Sequence, residues 1–223
     1  MTDAHCHVTG GDPSVREFLI GRDFVGVHPW EAGDVGWRTG DESLFRERLA
    51  SDPLLGVGEI GLDRLKEKNV SPHMRDVFEA QLKLASEFHR PVVLHGAKCW
   101  GQVVAAIRRL IPQPPCLIPS FLFHGFSRSD GLIPDIVALN GYISVGPAVL
   151  NGHAVNYREL VKKIPSGRLL LETDRTAENA AKCPSVAAVA AAVAQLRGTS
   201  LSDLEATTDR NADEFLSSRT TNR

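Results

Sequence analysis

Five apolar runs in this chain end abruptly in a histidine or a carboxylate. Val25-Gly26-Val27 meets His28, Gly56-Val57-Gly58 meets Glu59, Val92-Val93-Leu94 meets His95, Phe121-Leu122-Phe123 meets His124, and the run from Leu169 to Thr173 meets Asp174. A polar group that ends a buried strand costs free energy unless it is paired or bound to a metal. The runs are spaced by amphipathic stretches, and this alternation predicts βαβ units around a parallel sheet. An open sheet would collect its functional groups beside one switch point. Groups drawn from many strand ends at one face are how a (β/α) barrel builds a site.

The expected class is therefore α/β, a TIM-like (β/α) barrel. Strands are expected at 24–27, 54–60, 91–94, 120–123, 142–145 and 168–173, besides one at the chain start. Helices are expected at 75–89, 100–110, 131–139, 155–164, 186–196 and 201–216, with Pro112 and Gly141 stopping two of them. The 223 residues lie near the lower limit of about 200 for such a barrel. Only sixteen residues separate Val8 from Val25, which is room for one crossover. The barrel is thus shortened, with seven strands or with Phe18-Leu19-Ile20 as a stunted second strand of eight. No linker or repeat divides the chain, so residues 1–223 are expected to form one domain.

The first strand, Asp3-Ala4-His5-Cys6-His7, places His5 and His7 two residues apart and on the same side of an extended chain. With Glu59, His95, His124 and Asp174 they make four imidazoles and two carboxylates. Six donors exceed what one tetrahedral zinc needs. They suit two divalent ions about 3.5–4 Å apart, with a carboxylate between them and water activated to hydroxide for hydrolysis. Zinc, magnesium and manganese are all compatible with such donors. His73, His89 and His153 read as surface residues.

Other features exclude alternatives. A net charge of -2 and a pI near 6.4 give no global attraction to nucleic acid or membranes, so phosphate binding would need a local basic patch. No apolar stretch is long enough to span a bilayer and no leader pattern opens the chain. A cytoplasmic location is expected, with the four cysteines reduced and no CxxC pair. Gly56-Val57-Gly58-Glu59-Ile60-Gly61 fits GxGxxG, but the next segment is polar and Glu59 would repel a pyrophosphate. Gly125-Phe126-Ser127-Arg128-Ser129 lacks the last glycine of a nucleophile elbow.

Taken in order, Asp3-Ala4-His5-Cys6-His7, Gly26-Val27-His28-Pro29-Trp30, Gly58-Glu59-Ile60-Gly61-Leu62-Asp63, Pro91–His95, His124-Gly125-Phe126-Ser127 and Leu171-Glu172-Thr173-Asp174 resemble the motifs of TatD-like metal-dependent hydrolases, in the amidohydrolase superfamily. Thr208-Asp209-Arg210-Asn211 is similar to that family's closing Asn motif. The resemblance implies two metals: one held by His5, His7 and Asp174, the other by His95 and His124, with Glu59 shared. It implies that His28 meets the substrate phosphate and that Asp174 takes the proton of the attacking water. It also implies a deoxyribonuclease acting on single-stranded or frayed DNA. The Ser-Pro usual after the last Asp is Arg175-Thr176 here. The Arg- and Asn-rich stretch that follows is cut to residues 177–183, and Gly96-Ala97-Lys98 replaces the expected Ser and Arg.

Arg64, Lys66, Lys98, Arg128 and Arg175 follow the candidate ligands in sequence and form a local basic set for phosphodiester oxygens. Trp30, Trp100 and Phe126 are candidates to stack on a base, although Trp100 equally suits a helix start packed inward. Asp63 and Glu172 read as residues that orient ligands. The chemistry leaves a second reading open, an amidase, lactonase or deacylase on a small carbonyl substrate, because the same ions polarise a carbonyl. No protein partner is implied and a monomer is expected.

Overall fold

In a computed structural model, residues 1–32, 39–66, 68–111 and 119–217 are described. Eight parallel strands are described, alternating with helices from β3 onward: β1 (Thr2–Cys6), β2 (Arg16–Leu19), β3 (Phe24–Val25), α1 (Thr39–Ser51), β4 (Gly56–Asp63), α2 (Pro72–Glu87), β5 (Val92–Ala97), α3 (Trp100–Leu110), β6 (Phe121–Phe123), α4 (Ile133–Ala138), β7 (Gly141–Val145), α5 (Val155–Lys163), β8 (Leu169–Leu171), α6 (Val186–Arg197) and α7 (Leu201–Leu216). β1 pairs with β2, and β3 through β8 pair in sequence order.

Two sets of bonds close the barrel. A parallel bridge from Ile20 to Phe24 joins β2 to β3. At the other seam the Asp174 N–H donates to the His5 carbonyl (3.0 Å), and the His7 N–H donates to that of Arg175 (2.8 Å). Buried Asp3 reinforces this seam by accepting from the Thr173 N–H (2.9 Å) and hydroxyl (2.6 Å). The stunted second strand of eight is thus the form the barrel takes. It crosses from β1 to β2 without a helix.

Inside the barrel, Ala4, Phe18, Phe24, Val93, Leu122, Tyr142 and Leu170 meet Ala212 and Phe215 of α7. Phe215 stacks on Phe24 with ring centres 5.9 Å apart and plugs the end opposite the polar strand tips. The larger apolar layer lies between strands and helices. With a strand period of two, Val93 and Leu122 in the plug put His95 and His124 on the same inner side one step up.

Several expectations shift at their edges. The strand expected at 24–27 pairs only over Phe24–Val25. Beyond it, the fully buried Gln81 takes the place of a neighbouring strand: its Oε1 accepts from Val27 N–H (2.7 Å) and its Nε2 donates to Val27 O (3.2 Å). α2 starts at Pro72 rather than 75, because Ser71 caps the Met74 N–H and proline suits the first turn. Helix α1, which the sequence pattern did not reveal, covers the barrel beside α2. Asn140 in a left-handed conformation carries the chain from α4 into β7. Pro112 and Cys116 lie outside the described residues. Cys6, Cys99 and Cys183 are free thiols.

Candidate metal centre

The strand tips converge on Glu59. Its Oε2 lies 3.7 Å from His5 Nε2 and 3.6 Å from His7 Nε2. Its Oε1 lies 2.7 Å from His95 Nδ1, 2.8 Å from His124 Nε2 and 3.6 Å from His28 Nε2. Asp174 Oδ1 faces His5 and His7 at 3.5 and 3.7 Å. All six residues expected as ligands, and His28, therefore gather at one rim.

Local backbone irregularities aim two of these side chains. The β1–β2 register shifts between Asp3 and Cys6, flanking His5, and the β4–β5 register shifts between Val57 and Ile60, flanking Glu59. Bulges of this kind re-aim side chains beside functional sites. Close backbone approach requires glycine at Gly61, where a Cβ would lie 1.9 Å from the His95 carbonyl oxygen.

The donor set fits divalent cations. Separations of 3.5–3.7 Å among His5, His7, Asp174 and Glu59 Oε2 are too long for good hydrogen bonds. They match the edge of a tetrahedron built on metal–ligand distances near 2.0–2.2 Å, roughly 3.3–3.6 Å. His5 is fully buried, and neither ring nitrogen has a hydrogen-bond partner. A buried polar atom left this way calls for a partner, and Nε2 points at the shared space between the two carboxylates. At this rim three overlapping donor groups have the spacing to hold an ion: His5, His7 and Asp174; His5, Glu59 and His124; and His28, Glu59 and His95.

Surrounding groups fix the rings. Asp63 Oδ2 lies 2.7 Å from His95 Nε2, and its Oδ1 accepts the Leu65 N–H (2.5 Å), so the ring turns its other nitrogen to Glu59. Glu172 accepts from Ser144 Oγ (2.5 Å) and Gly125 N–H (2.9 Å) and stands 3.7 Å from His124 Nδ1. Both acids thus sit where ligand-orienting residues are expected. Burial would raise the Glu59 carboxyl, but the charge of His124 and hydrogen bonds from His124, His28 and His95 hold it well below the usual range. Asp174 is likewise lowered: burial is outweighed by His5 and His124. Burial and the neighbouring His5 lower His7, favouring the neutral ring a metal needs. Asp3 is pushed up to about 6, chiefly by burial. Its bonds to Thr173, 170 positions away, show its role only in three dimensions.

The basic residues divide. Lys98 and Arg128 are exposed, take left-handed backbone at the tips of the loops after β5 and β6, and have no side-chain partner among the described residues. Arg64 is tied to the Lys68 carbonyl (3.1 Å), and Lys66 caps the Trp30 ring at 3.9 Å. Arg175 staples its own loop, donating to the carbonyls of Ala180 (3.0 Å) and Cys183 (3.5 Å). The aromatic expectation is corrected for Phe126, and for Trp100 the inward-packed helix start is the alternative that holds. Trp100 is 5% exposed and Phe126 0%, packed together with Phe123 in the core, whereas Trp30 is 46% exposed at the rim.

Fold and site together define the class: an eight-stranded parallel β/α barrel with a cluster of metal-ligating side chains at the C-terminal strand ends. The family model described as TatD related DNase matches residues 21–217, and the chain belongs to that family. It is similar to the uncharacterized metal-dependent hydrolase YabD of Bacillus subtilis, 29% identical over 150 residues, which are 67% of this chain and 56% of the relative. It is also similar to the 3'-5' ssDNA/RNA exonuclease TatD of Pantoea vagans, 32% identical over 154 residues (67% and 56%). The corresponding protein of Klebsiella pneumoniae is 30% identical over 201 residues (84% and 73%). The match to the first two thus spans little more than half of their length. In fold it resembles YjjV, a TatD homologue of Escherichia coli, with a TM-score of 0.74, 21% identity and 96% of each chain covered. A TatD family hydrolase of Entamoeba histolytica aligns with a TM-score of 0.70 and 15% identity over 90% of this chain and 75% of that one. No described helix is long and apolar enough to cross a membrane.

Proposed function

We propose that this protein is a divalent-metal-dependent phosphodiesterase acting on single-stranded or frayed DNA. The observation that carries this reading is the two-sided Glu59, with one oxygen toward His5 and His7 and the other toward His95 and His124. His5, His7 and Asp174 would hold one ion, His95 and His124 a second, and Glu59 both. When bound, such ions lower the pKa of water and neutralise charge developing on phosphorus-bound oxygens.

The chain's own residues supply the rest. Asp174, half-exposed and with its pKa lowered, is an ionised acceptor for the proton released by water. His28 takes the Trp30 N–H on Nδ1 (3.1 Å) and so presents Nε2 to the site and to a phosphate oxygen. Lys98 and Arg128, without a side-chain partner among the described residues, can meet the phosphate backbone beside the scissile bond. The names of the similar exonucleases support a nucleic-acid substrate, and free thiols fit a reducing, cytoplasmic setting.

The test is cleavage of single-stranded DNA by purified protein with Mg²⁺, Mn²⁺ or Zn²⁺, beside an amide and lactone panel. His5→Ala and Glu59→Gln should each lower kcat by about 100-fold or more, as losing a metal-holding group does. Turnover confined to the amides or lactones would overturn the nuclease reading.

A further inference from the structure

Three clefts open from the metal centre, and Asp174 lines all of them. Two are less apolar than the third and share Gly125, Ser127 and Arg128, so Arg128 stands between them; one of these also carries Lys98. The third differs in character. It measures about 850 Å³ and runs from His7, Glu59, His95 and His124 over Val8, Ile20, Val25, Val27 and Phe45, with Trp30 at its edge. Exposed Glu31 and Glu178 stand on its lining, with Arg48 among the described residues there.

A polyanion is drawn to unpaired cations and repelled by carboxylates. The phosphate backbone therefore suits the side with Lys98 and Arg128 and not the side with Glu31 and Glu178. An unpaired base is neutral, with apolar faces that stack on aromatic and aliphatic surfaces. The third cleft offers such surfaces directly beside the reacting centre, in a volume suited to a small molecule. Lys66 covers one face of Trp30, and the cation–π contact at 3.9 Å holds that ring at the cleft edge.

Building on the nuclease reading, we infer that the apolar cleft over Val8, Ile20, Val27 and Phe45 receives the unpaired base of the strand's terminal nucleotide, while the phosphodiester backbone leaves over Lys98 and Arg128. The base is a recognition element on one side of the scissile bond, and the cations serve the other. A base paired in a blunt duplex cannot enter.

The test compares three ends on otherwise identical DNA: a single-stranded end with its base, the same end carrying an abasic sugar, and a blunt duplex. Binding is followed by anisotropy of a fluorescein label at the far end, and cleavage by kcat and KM. Removing the terminal base should raise Kd and KM roughly tenfold or more, the scale of one stacked base, with kcat less affected. Ile20→Trp, which fills the cleft, should bind the intact and abasic ends alike while keeping its metal content by elemental analysis. Lys98→Ala and Arg128→Ala should each flatten the salt dependence while still discriminating against the abasic end. Equal binding and cleavage of intact and abasic ends by the unmodified protein would overturn the inference and leave the nuclease reading standing. Failure to cut any DNA, with the metals bound, would overturn both.

Discussion

Asp63 shows how much one side chain outside the ligand set controls. Its carboxylate holds His95 Nε2 at 2.7 Å and is itself fixed by the Leu65 N–H, and these bonds outweigh burial and lower its pKa. In Asp63→Asn the amide no longer fixes the tautomer of His95. Metal affinity or kcat should fall roughly 10- to 100-fold, read as a kcat loss that added metal partly restores, with KM for DNA unchanged. Cys99 provides a test of stability at the same scale. Burial, with the nearby Asp63 charge, pushes its thiol from 9.0 up to about 11. The folded protein keeps a proton that the unfolded chain gives up, so this contribution is full below pH 9 and lost as pH rises through 11. It amounts to about 3 kcal/mol. Urea unfolding of the protein and of Cys99→Ala across that window should show a shallower decline for the variant.

Among the elements, β3 departs most from its sequence pattern. Val25-Gly26-Val27 has the look of a longer strand, yet Gln81 on α2 satisfies the Val27 backbone in place of a neighbouring strand. A glutamine in an apolar helix face carries no mark of this in sequence, because its partner is 54 positions away. Gln81→Leu keeps the volume but orphans the half-buried Val27 donor and acceptor. Loss of about 2–4 kcal/mol is expected, measured by denaturant midpoint at unchanged m-value. Helix α1 was similarly hidden, since its apolar positions form no clear stripe. At the other end Asn211 donates to the carbonyls of Ser166 (2.7 Å) and Leu169 (2.8 Å) and fixes the entry to β8.

The whole molecule couples closure to the site. Asp3, His5, Thr173 and Asp174 form the β1–β8 seam, and two of them are also candidate ligands. An ion bound there grips both edges of the seam and is linked to folding. At 100 times its dissociation constant a cation would add about 2.7 kcal/mol, so chelation by EDTA should lower Tm by roughly 5–10 °C for a protein this size. Metal restored from solution should reverse the change, whereas His5→Ala, which loses the seam ligand, should show a smaller drop in Tm with EDTA.

What the chain's order of residues determines is periodicity and chemistry. Apolar runs ending in His, Glu or Asp establish the β/α alternation, a shortened barrel of seven or eight strands, and the residues that meet at the rim, because strand side chains alternate and strand ends share a face; the pairing of β2 with β1 and β3 decides for eight. Tertiary structure alone decides which polar residues remain available. Arg175 and Lys98 look equivalent along the chain, but one is consumed by its own loop and the other faces solvent. Trp100 and Trp30 divide in the same way between core and rim. Those outcomes depend on partners far away in sequence, and only packing brings such partners within bonding distance.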